Sequence, residues 1–169
     1  MASTSPRPSE KSVLFVCLGN ICRSPMAEAI LKYLVEERED AGDWLIESSA
    51  TSRYHIGGQP DDRCIATLEK NNIKNFRSTV RQINKADYSK FSWIFVFDSD
   101  NKKNVEREKP SSSNSNVVLL RKYDNEEAKN EKNPPAVIDP YYHDDSFFDI
   151  CYDQCNRSLK YFLKSEFDC

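Results

Sequence analysis

The chain has 169 residues, the length of one domain with a sizeable core. Its net charge is −3, and it has no basic block of the kind that binds nucleic acid. Six irregularly spaced cysteines, without a recognisable signal peptide or an apolar run long enough for a membrane segment, argue against the disulfide framework of a secreted protein. We therefore expect a protein of a reducing, cytoplasmic compartment that binds neither nucleic acid nor membrane.

The order of predicted elements is that of an α/β protein. Residues 1–11 are polar and rich in serine and proline, which predicts a disordered tail before a single domain over 12–169. Continuous apolar runs at 13–17, 44–46, 93–97 and 117–120 predict strands that are buried on both faces. Apolar residues at helical spacing predict helices over 26–35, 60–72 and 100–107, and from about 146 onward.

Alternating strands and helices in a chain of this length predict a three-layer sandwich, with a four-stranded parallel sheet and helices on both faces. The last helix is expected to bury a stripe consisting of Phe147, Cys151, Cys155, Leu159 and Leu163. Polar segments at 108–116 and 124–135 indicate solvated loops. Ligands of such sheets bind beyond the carboxyl ends of the strands, where the strand order reverses.

The loop after the first strand, CLGNICRSP over 17–25, has the features of an anion-binding site. Gly19 and Asn20 tolerate left-handed backbone, which allows successive N–H groups to turn inward toward a ligand. Pro25 suits the first position of the following helix, and Ser24 suits the cap before it. The dipole of that helix and the planar fork of Arg23 both favour a bound phosphate group.

Cys17 is expected to lie at the floor of this loop. The inward N–H groups, the helix dipole and Arg23 all favour its thiolate form, which is the reactive form of a cysteine. A thiolate that faces a bound phosphoryl group predicts nucleophilic displacement at phosphorus.

The spacing C-x5-R-S alone is a weak signal, because it occurs twice in this chain. The second copy comprises Cys151, Arg157 and Ser158, lacks glycine and follows no strand. Its two cysteines fall on the apolar stripe of the last predicted helix. We therefore interpret the second copy as helix core rather than as a site.

The segments VLFVCLGNICRSPMAEAI and IDPYY, at 13–30 and 138–142, resemble the low-molecular-weight protein tyrosine phosphatases. The similarity extends over about 12–165 and includes SSATS, RQI and FDSDN. It implies the phosphotyrosine phosphatase I-like fold and a phosphomonoesterase that needs no metal or cofactor. It also implies a phosphocysteine intermediate, with tyrosine-phosphorylated proteins and aryl phosphates as substrates.

Two carboxyl groups are candidates for the acid that protonates the leaving oxygen. Asp98 follows the third predicted strand at the ligand-binding edge, whereas Asp139 lies in a proline-fixed aromatic loop that could close over a substrate. The residues alone leave both open, Asp98 having the alternative of capping the next helix. The resemblance assigns Asp139, as acid in the first step and base in the second.

Further roles are assigned to the loop and its surroundings. Ser24 can donate to the Cys17 sulfur, and Asn20 is expected to hold the loop open, with Ser48 as its partner by resemblance. The backbone of the loop is expected to bind phosphate through Leu18, Gly19, Asn20, Ile21, Cys22 and Arg23. The walls of the cleft are expected to consist of Tyr54, His55, Tyr141 and Tyr142.

Cys22 is the predicted redox partner of Cys17, since the family is known for a reversible disulfide between the two loop cysteines.

Three positions depart from the resemblance. Many relatives carry histidine where this chain has Ser78, which would loosen the bonds around Ser24. Arg53 and His55 add positive or titratable character beside Tyr54, which predicts a preference for acidic flanking sequence.

Two alternative functions remain at this stage. Arsenate reductases share this fold and cysteine loop, but they need resolving cysteines on a mobile segment. A phosphate-binding module without catalysis is the second alternative, although Cys17, Arg23, Ser24 and Asp139 are all present. We expect a monomer, with weak self-association as an option.

Overall fold

The computed structural model describes residues 8–124 and 135–168. Its centre is a parallel four-stranded sheet in the order β2-β1-β3-β4. The strands are β1 (Ser12–Cys17), β2 (Leu45–Ala50), β3 (Trp93–Val96) and β4 (Asn116–Leu119). Every residue of β1 is buried, because β1 pairs with both β2 and β3 and is covered on both faces. The predicted fold class is thus confirmed.

The helices are α1 (Arg23–Val35), α2 (Asp62–Lys70), α3 (Asp87–Lys90), α4 (Ser99–Glu108) and α5 (Ser146–Glu166). Alternate residues of β1 enter two separate cores. Val13 and Phe15 belong to the larger core, which contains residues of α1, α2 and α5. Leu14 and Val16 belong to the smaller core, together with residues of α3 and α4. A strand with period two therefore packs one helical layer on each side.

In α5 and α2 the buried residues differ from those that the apolar spacing predicts. At the start of α5 the buried phenylalanine is Phe148, not Phe147, because positions 148, 151 and 155 are spaced at i, i+3 and i+7 and therefore share one face of the helix. The helix predicted over 60–72 buries Cys64, Thr67 and Leu68, whereas Ile65 is only partly buried.

The polar segment 108–116 is more than a solvated loop. Ser115 is buried, and its hydroxyl oxygen lies 2.8 Å and 2.6 Å from the carbonyl oxygens of Tyr88 and Phe91, either of which can accept its single proton. These bonds anchor α3, a single helical turn that the sequence pattern did not indicate. The second polar segment, 124–135, lies outside the described residues from 125 to 134.

The expected disordered tail is described only in part, since residues 1–7 lie outside the described chain. Within residues 8–11, Ser9 and Lys11 make backbone hydrogen bonds to the sheet, Ser9 as acceptor from Ser12 and Lys11 as acceptor from Leu45. Among the described helices, none has the length and apolar character needed to cross a membrane.

Candidate active site

The loop between β1 and α1 lies at the carboxyl edge of the sheet, where the strand order reverses. Its carbonyl oxygens are held from outside: the N–H of Thr51 donates to Cys17 O at 2.9 Å, and the N–H of Asp61 donates to Ile21 O at 2.8 Å. Ser52 donates to Leu18 O through both its N–H and its hydroxyl group. Because these carbonyls are bound from outside, the loop N–H groups are left for its inner side.

Asn20 determines the shape of this loop. Its backbone has a φ of 57°, the left-handed region that asparagine tolerates better than most residues. Its N–H group approaches the Cys17 sulfur at 3.3 Å. The side-chain Nδ2 donates to Ser24 Oγ at 2.7 Å and to Ser48 Oγ at 2.9 Å. The loop is thus tied to both α1 and β2 through one amide group.

The hydroxyl group of Ser24 lies 3.0 Å from the Cys17 sulfur. Because the Ser24 oxygen accepts a hydrogen bond from Asn20, its single proton can be donated to the sulfur. The expectation that Ser24 caps the helix was wrong. Helix α1 begins at Arg23 after Cys22, and no side chain caps it, because the Ser24 hydroxyl is engaged by Cys17 and Asn20.

The same network continues into a buried carboxylate that the sequence analysis missed. Ser48 Oγ donates to Glu28 Oε1 at 2.6 Å, and Lys32 Nζ pairs with Glu28 Oε2 at 2.6 Å. Glu28 is only 5% exposed. Because the carboxylate can only accept, it fixes the direction in which every hydroxyl and amide of the network donates. Within the described chain, Ser78 takes no part in this network.

A pattern in the sequence could have indicated Glu28. Ser24, Glu28 and Lys32 are spaced at i, i+4 and i+8, so they form a polar line along a helix whose other faces are mostly apolar. A polar line that runs from a binding loop into a buried helix is typical of a hydrogen-bond network.

Arg23 is buried and connects the loop to both candidate acids. Its Nη1 donates to Asp98 Oδ2 at 2.6 Å and to the carbonyl oxygen of Val137 at 3.1 Å, and its Nη2 lies 3.6 Å from Asp139 Oδ2. Burial lowers the pKa of Arg23, but the nearby Cys17, Asp98 and Asp139 raise it more, so the net shift is upward. Arg23 Nε is buried and has no partner within the described chain. It is therefore a donor left for a ligand.

The two carboxyl groups are in different positions. Asp98 caps α4, since its Oδ1 accepts from the N–H of Asn101 at 2.7 Å while its Oδ2 holds Arg23. Asp139 lines the same cavity as Cys17, a small space of about 80 Å³, whereas Asp98 lines a neighbouring one. Only Asp139 therefore faces the space above the thiol.

The cavity above Cys17 is lined by the predicted loop residues except the buried Asn20, and by the predicted wall residues Tyr54, His55, Tyr141 and Tyr142. The rings of Tyr141 and Tyr142 meet edge to face at 4.8 Å. His55 approaches the loop so closely that a β-carbon at Gly19 would lie 3.2 Å from its ring. A larger residue at position 19 would therefore have to displace the His55 ring by a few tenths of an ångström, and the positive φ is adopted by Asn20 alone in the loop.

The second loop cysteine, Cys22, is buried next to the thiols of the larger core. Burial raises the pKa of Cys22 far above its ordinary value, and the charges of Asp61 and Cys17 add to this effect. The five cysteines that the structure describes are all free: Cys17, Cys22, Cys64, Cys151 and Cys155.

The second C-x5-R-S copy lies inside α5, with Cys151 buried and Arg157 paired with Asp124. Across residues 8–124 and 135–168, no cluster of potential metal ligands is present.

Comparison with known proteins gives matches over nearly the whole chain. The family model described as low molecular weight phosphotyrosine protein phosphatase matches residues 12–166. The mouse protein of that name is 39% identical, covering 93% of this chain and 96% of its own length. The crystal structure of Primo-1 superposes with a TM-score of 0.81 and 34% identity over 92% of this chain and 98% of that one. A Drosophila arginine phosphatase has a TM-score of 0.80 and 33% identity, over 90% and 95%.

Taken with the parallel sheet and its thiol-bearing loop, these similarities define an enzyme that hydrolyses phosphotyrosine by means of a cysteine. The match to the family model and to relatives above 30% identity places the chain more narrowly. It belongs to the low molecular weight phosphotyrosine protein phosphatase family.

Proposed function

We propose that Cys17 is the nucleophile of this phosphatase. The observation that carries the assignment is the position of its sulfur, which lies 3.3 Å from the N–H of Asn20 and 3.0 Å from the hydroxyl of Ser24. The N–H of Asn20 donates to the sulfur and the hydroxyl of Ser24 can donate to it, so both groups favour a thiolate over a thiol. Arg23, at the same loop, supplies the positive charge that a phosphate dianion requires.

In the first step the Cys17 sulfur attacks phosphorus, and the bond between phosphorus and the phenolic oxygen breaks. Asp139 gives its proton to that oxygen, so tyrosine leaves as a neutral phenol. In the second step Asp139 takes a proton from water, which attacks the phosphocysteine and releases phosphate. Ser24 donates to the departing sulfur, which leaves as a thiolate.

Asp98 is assigned a holding role instead of proton transfer. One of its oxygens caps α4 and the other accepts from Arg23, so both are already bound. Asp98 thereby orients the guanidinium group toward the loop. The open alternative between Asp98 and Asp139 is decided, in this proposal, by the position of Asp139 in the cavity over Cys17.

Tyrosine-phosphorylated proteins are the proposed substrates. The cleft walls include Tyr54 and Tyr142, which are 77% and 88% exposed and are therefore free to stack on an aryl ring. The similarity to an arginine phosphatase makes phosphoarginine the appropriate competing substrate in the assay. Arsenate reduction is disfavoured, because Cys151 and Cys155 are buried in α5 and not on a mobile segment.

Reversible oxidation and a cytoplasmic location belong to the same proposal. A disulfide between Cys17 and Cys22 would protect the nucleophile, and a reducing compartment would return it to the thiolate. We propose a monomer, with self-association only at high concentration.

The test is hydrolysis of phenyl phosphate in the presence of EDTA. We expect activity in the wild type, none above background in Cys17→Ser, and a loss of about 10²-fold or more in Asp139→Ala, the usual contribution of a positioned general acid. Phosphotyrosine peptides should be hydrolysed faster than phosphoarginine peptides. Activity in Cys17→Ser would refute the mechanism, and full activity in Asp139→Ala would return the acid role to Asp98.

A further inference from the structure

The side chain of Arg63, in the first turn of α2, joins two parts of the active site that are far apart in sequence. Its Nε and Nη2 donate to the two oxygens of Asp61, at 3.0 Å and 3.1 Å. Asp61 in turn donates from its backbone N–H to the carbonyl oxygen of Ile21 in the phosphate-binding loop, at 2.8 Å. One edge of the guanidinium group is therefore fixed relative to that loop.

The remaining donors of Arg63 reach the loop that carries Asp139. Nη2 donates to the carbonyl oxygen of Tyr141 at 3.1 Å, and Nη1 donates to that of His143 at 3.5 Å. The guanidinium group also lies over the rings of Tyr141 and Phe148, at 5.6 Å and 4.6 Å from their centroids. Among the described residues, these two hydrogen bonds are the ones that join the backbone of 138–143 to another element.

The position of Asp139 depends on the same contacts. The N–H of Tyr141 donates to Asp139 Oδ1 at 3.2 Å, so the carboxyl group is held by the residue whose carbonyl Arg63 binds. On its other side, among the described residues, Asp139 has the longer contact of 3.6 Å to Arg23. Loss of the Arg63 bonds would leave the segment 138–143 held at its ends, by Val137, whose N–H donates to the carbonyl oxygen of Phe97 at 2.7 Å, and by the start of α5.

Asp61 keeps Arg63 in this orientation. Burial opposes the charge of Asp61, but the side-chain and backbone hydrogen bonds from Arg63 lower the pKa of its carboxyl group below the ordinary value. The pair therefore stays ionised at neutral pH. Two parallel bonds to one carboxylate fix the plane of the guanidinium group, which a lysine could not do.

We propose that Arg63 is a positioning residue that sets the general-acid loop in register with the phosphate-binding loop. This inference rests on the proposed function, since it takes Asp139 as the acid. It goes beyond that function by assigning the alignment of acid and thiol to one side chain outside both loops. A purely structural role would affect stability and all substrates equally.

The test compares Arg63→Met and Arg63→Lys with the wild type on two aryl phosphates, with kcat/KM as the readout. Phenyl phosphate has a strongly basic leaving group and depends on protonation, whereas 4-nitrophenyl phosphate depends on it much less. We expect Arg63→Met to lose about 10-fold on phenyl phosphate, a fraction of the full general-acid effect. We expect a loss below about 3-fold on 4-nitrophenyl phosphate, and a partial return toward wild type in Arg63→Lys.

The matched control is Arg38→Met, because Arg38 also pairs with an aspartate two residues away, Asp40, but outside the cleft. Arg38→Met should not lower kcat/KM selectively for either of the two aryl phosphates. Inhibition by inorganic phosphate should be unchanged in Arg63→Met, since the Asp61 N–H still holds Ile21. Equal losses on both substrates, or weakened phosphate inhibition, would overturn the positioning role.

Failure of the proposed function would look different. If the ratio of kcat/KM between phenyl phosphate and 4-nitrophenyl phosphate is the same in Asp139→Ala as in the wild type, Asp139 is not the acid and the proposed function is wrong. If Asp139→Ala changes that ratio and folded Arg63→Met does not, the function stands and the inference about Arg63 is wrong. Should Arg63→Met unfold, the same ratio measured in Arg63→Lys decides: a wild-type ratio there would also overturn the inference.

Discussion

Asn20 provides a backbone conformation and a side-chain amide at the same position of the loop. Two other asparagines, Asn72 and Asn75, adopt a similar positive φ of 67° and 63°. They lie outside the loop, whereas the amide of Asn20 bonds both Ser24 and Ser48. The comparison allows the cost of the left-handed backbone to be separated from the value of the hydrogen bonds.

Asn20→Ala should therefore destabilise the protein more than Asn72→Ala. Both variants place alanine in the left-handed region, but only the first leaves Ser24 and Ser48 without their common donor. We expect the difference in the free energy of unfolding, measured with urea, to be about 2 kcal/mol. Asn20→Ala should also lower kcat, because the Ser24 proton loses its fixed direction. An equal destabilisation of the two variants would contradict the assigned role.

Cys22 lies close to the nucleophile but has a buried thiol with a raised pKa, so it is a poor nucleophile at neutral pH. We therefore expect peroxide to attack Cys17 first and Cys22 to close the disulfide afterwards. In Cys22→Ser, the fraction of its own starting activity that dithiothreitol restores after peroxide should fall strongly. Cys64→Ser is the matched control, since Cys64 is equally buried, and it should recover as the wild type does. Equal recovery in Cys22→Ser would rule out the protective disulfide.

At the scale of elements, α1 links the anion-binding loop to the core. Ten of its residues are buried, including Ser24 and Glu28, so the helix is enclosed on most sides. The cost of burying the Glu28 carboxylate is offset because Ser48 and Lys32 both donate hydrogen bonds to it. The helix therefore positions the loop through packing and also through the hydrogen-bond network behind Cys17.

The contact between α3 and α4 predicts a loss of stability at high pH. Tyr88 donates its hydroxyl proton to the carbonyl oxygen of Val105 at 2.6 Å, and burial raises the pKa of Tyr88 to about 12. The folded state therefore holds this proton where the unfolded chain, with a tyrosine pKa near 10, has released it. The contribution is fully present below about pH 10 and is lost as the pH rises toward about 12.

Urea unfolding between pH 9 and pH 12 tests this point. The wild type should lose stability over that range, and Tyr88→Phe should lose less, because it has no proton to hold at this position. Tyr161→Phe, a substitution on the partly exposed face of α5, should retain the wild-type slope. Identical slopes in the wild type and Tyr88→Phe would contradict the assignment.

For the whole molecule the net charge is −3, but the two residues that flank Tyr54, a wall residue of the cleft, are Arg53 and His55. Arg53 and His55 are exposed on the rim beside Tyr54. A positive rim attracts acidic flanking residues and raises the association rate at low salt. We therefore expect acidic phosphotyrosine peptides to have a higher kcat/KM than basic ones, and the difference to shrink with salt.

Arg53→Glu should reverse or abolish this preference. Arg77→Glu, which makes the same charge change at an exposed position after α2, is the control and should leave the preference unchanged. Equal turnover of acidic and basic peptides by the wild type would contradict the predicted preference for acidic flanking residues.

Local patterns were sufficient for the strands and for the loop. Continuous apolar runs identify β1 and β3, and the sequence CLGNICRS places Cys17 between a strand and a helix. The polar line of Ser24, Glu28 and Lys32 could have indicated Glu28, but no local pattern predicts the role of Arg63. Arg63 has acceptors at Tyr141 and His143, 78 and 80 residues away, and such contacts arise only when the chain folds. The short α3 was missed because four residues carry no periodicity.

The central claim is that a phosphoryl group is transferred to the sulfur of Cys17. The most direct measurement is to quench the enzyme with acid during turnover of an aryl phosphate and map the phosphorylated peptide by mass spectrometry. We expect one phosphoryl group on the Cys17 sulfur, and none in Cys17→Ser. Phosphate on another residue, or rapid turnover without any covalent intermediate, would contradict it.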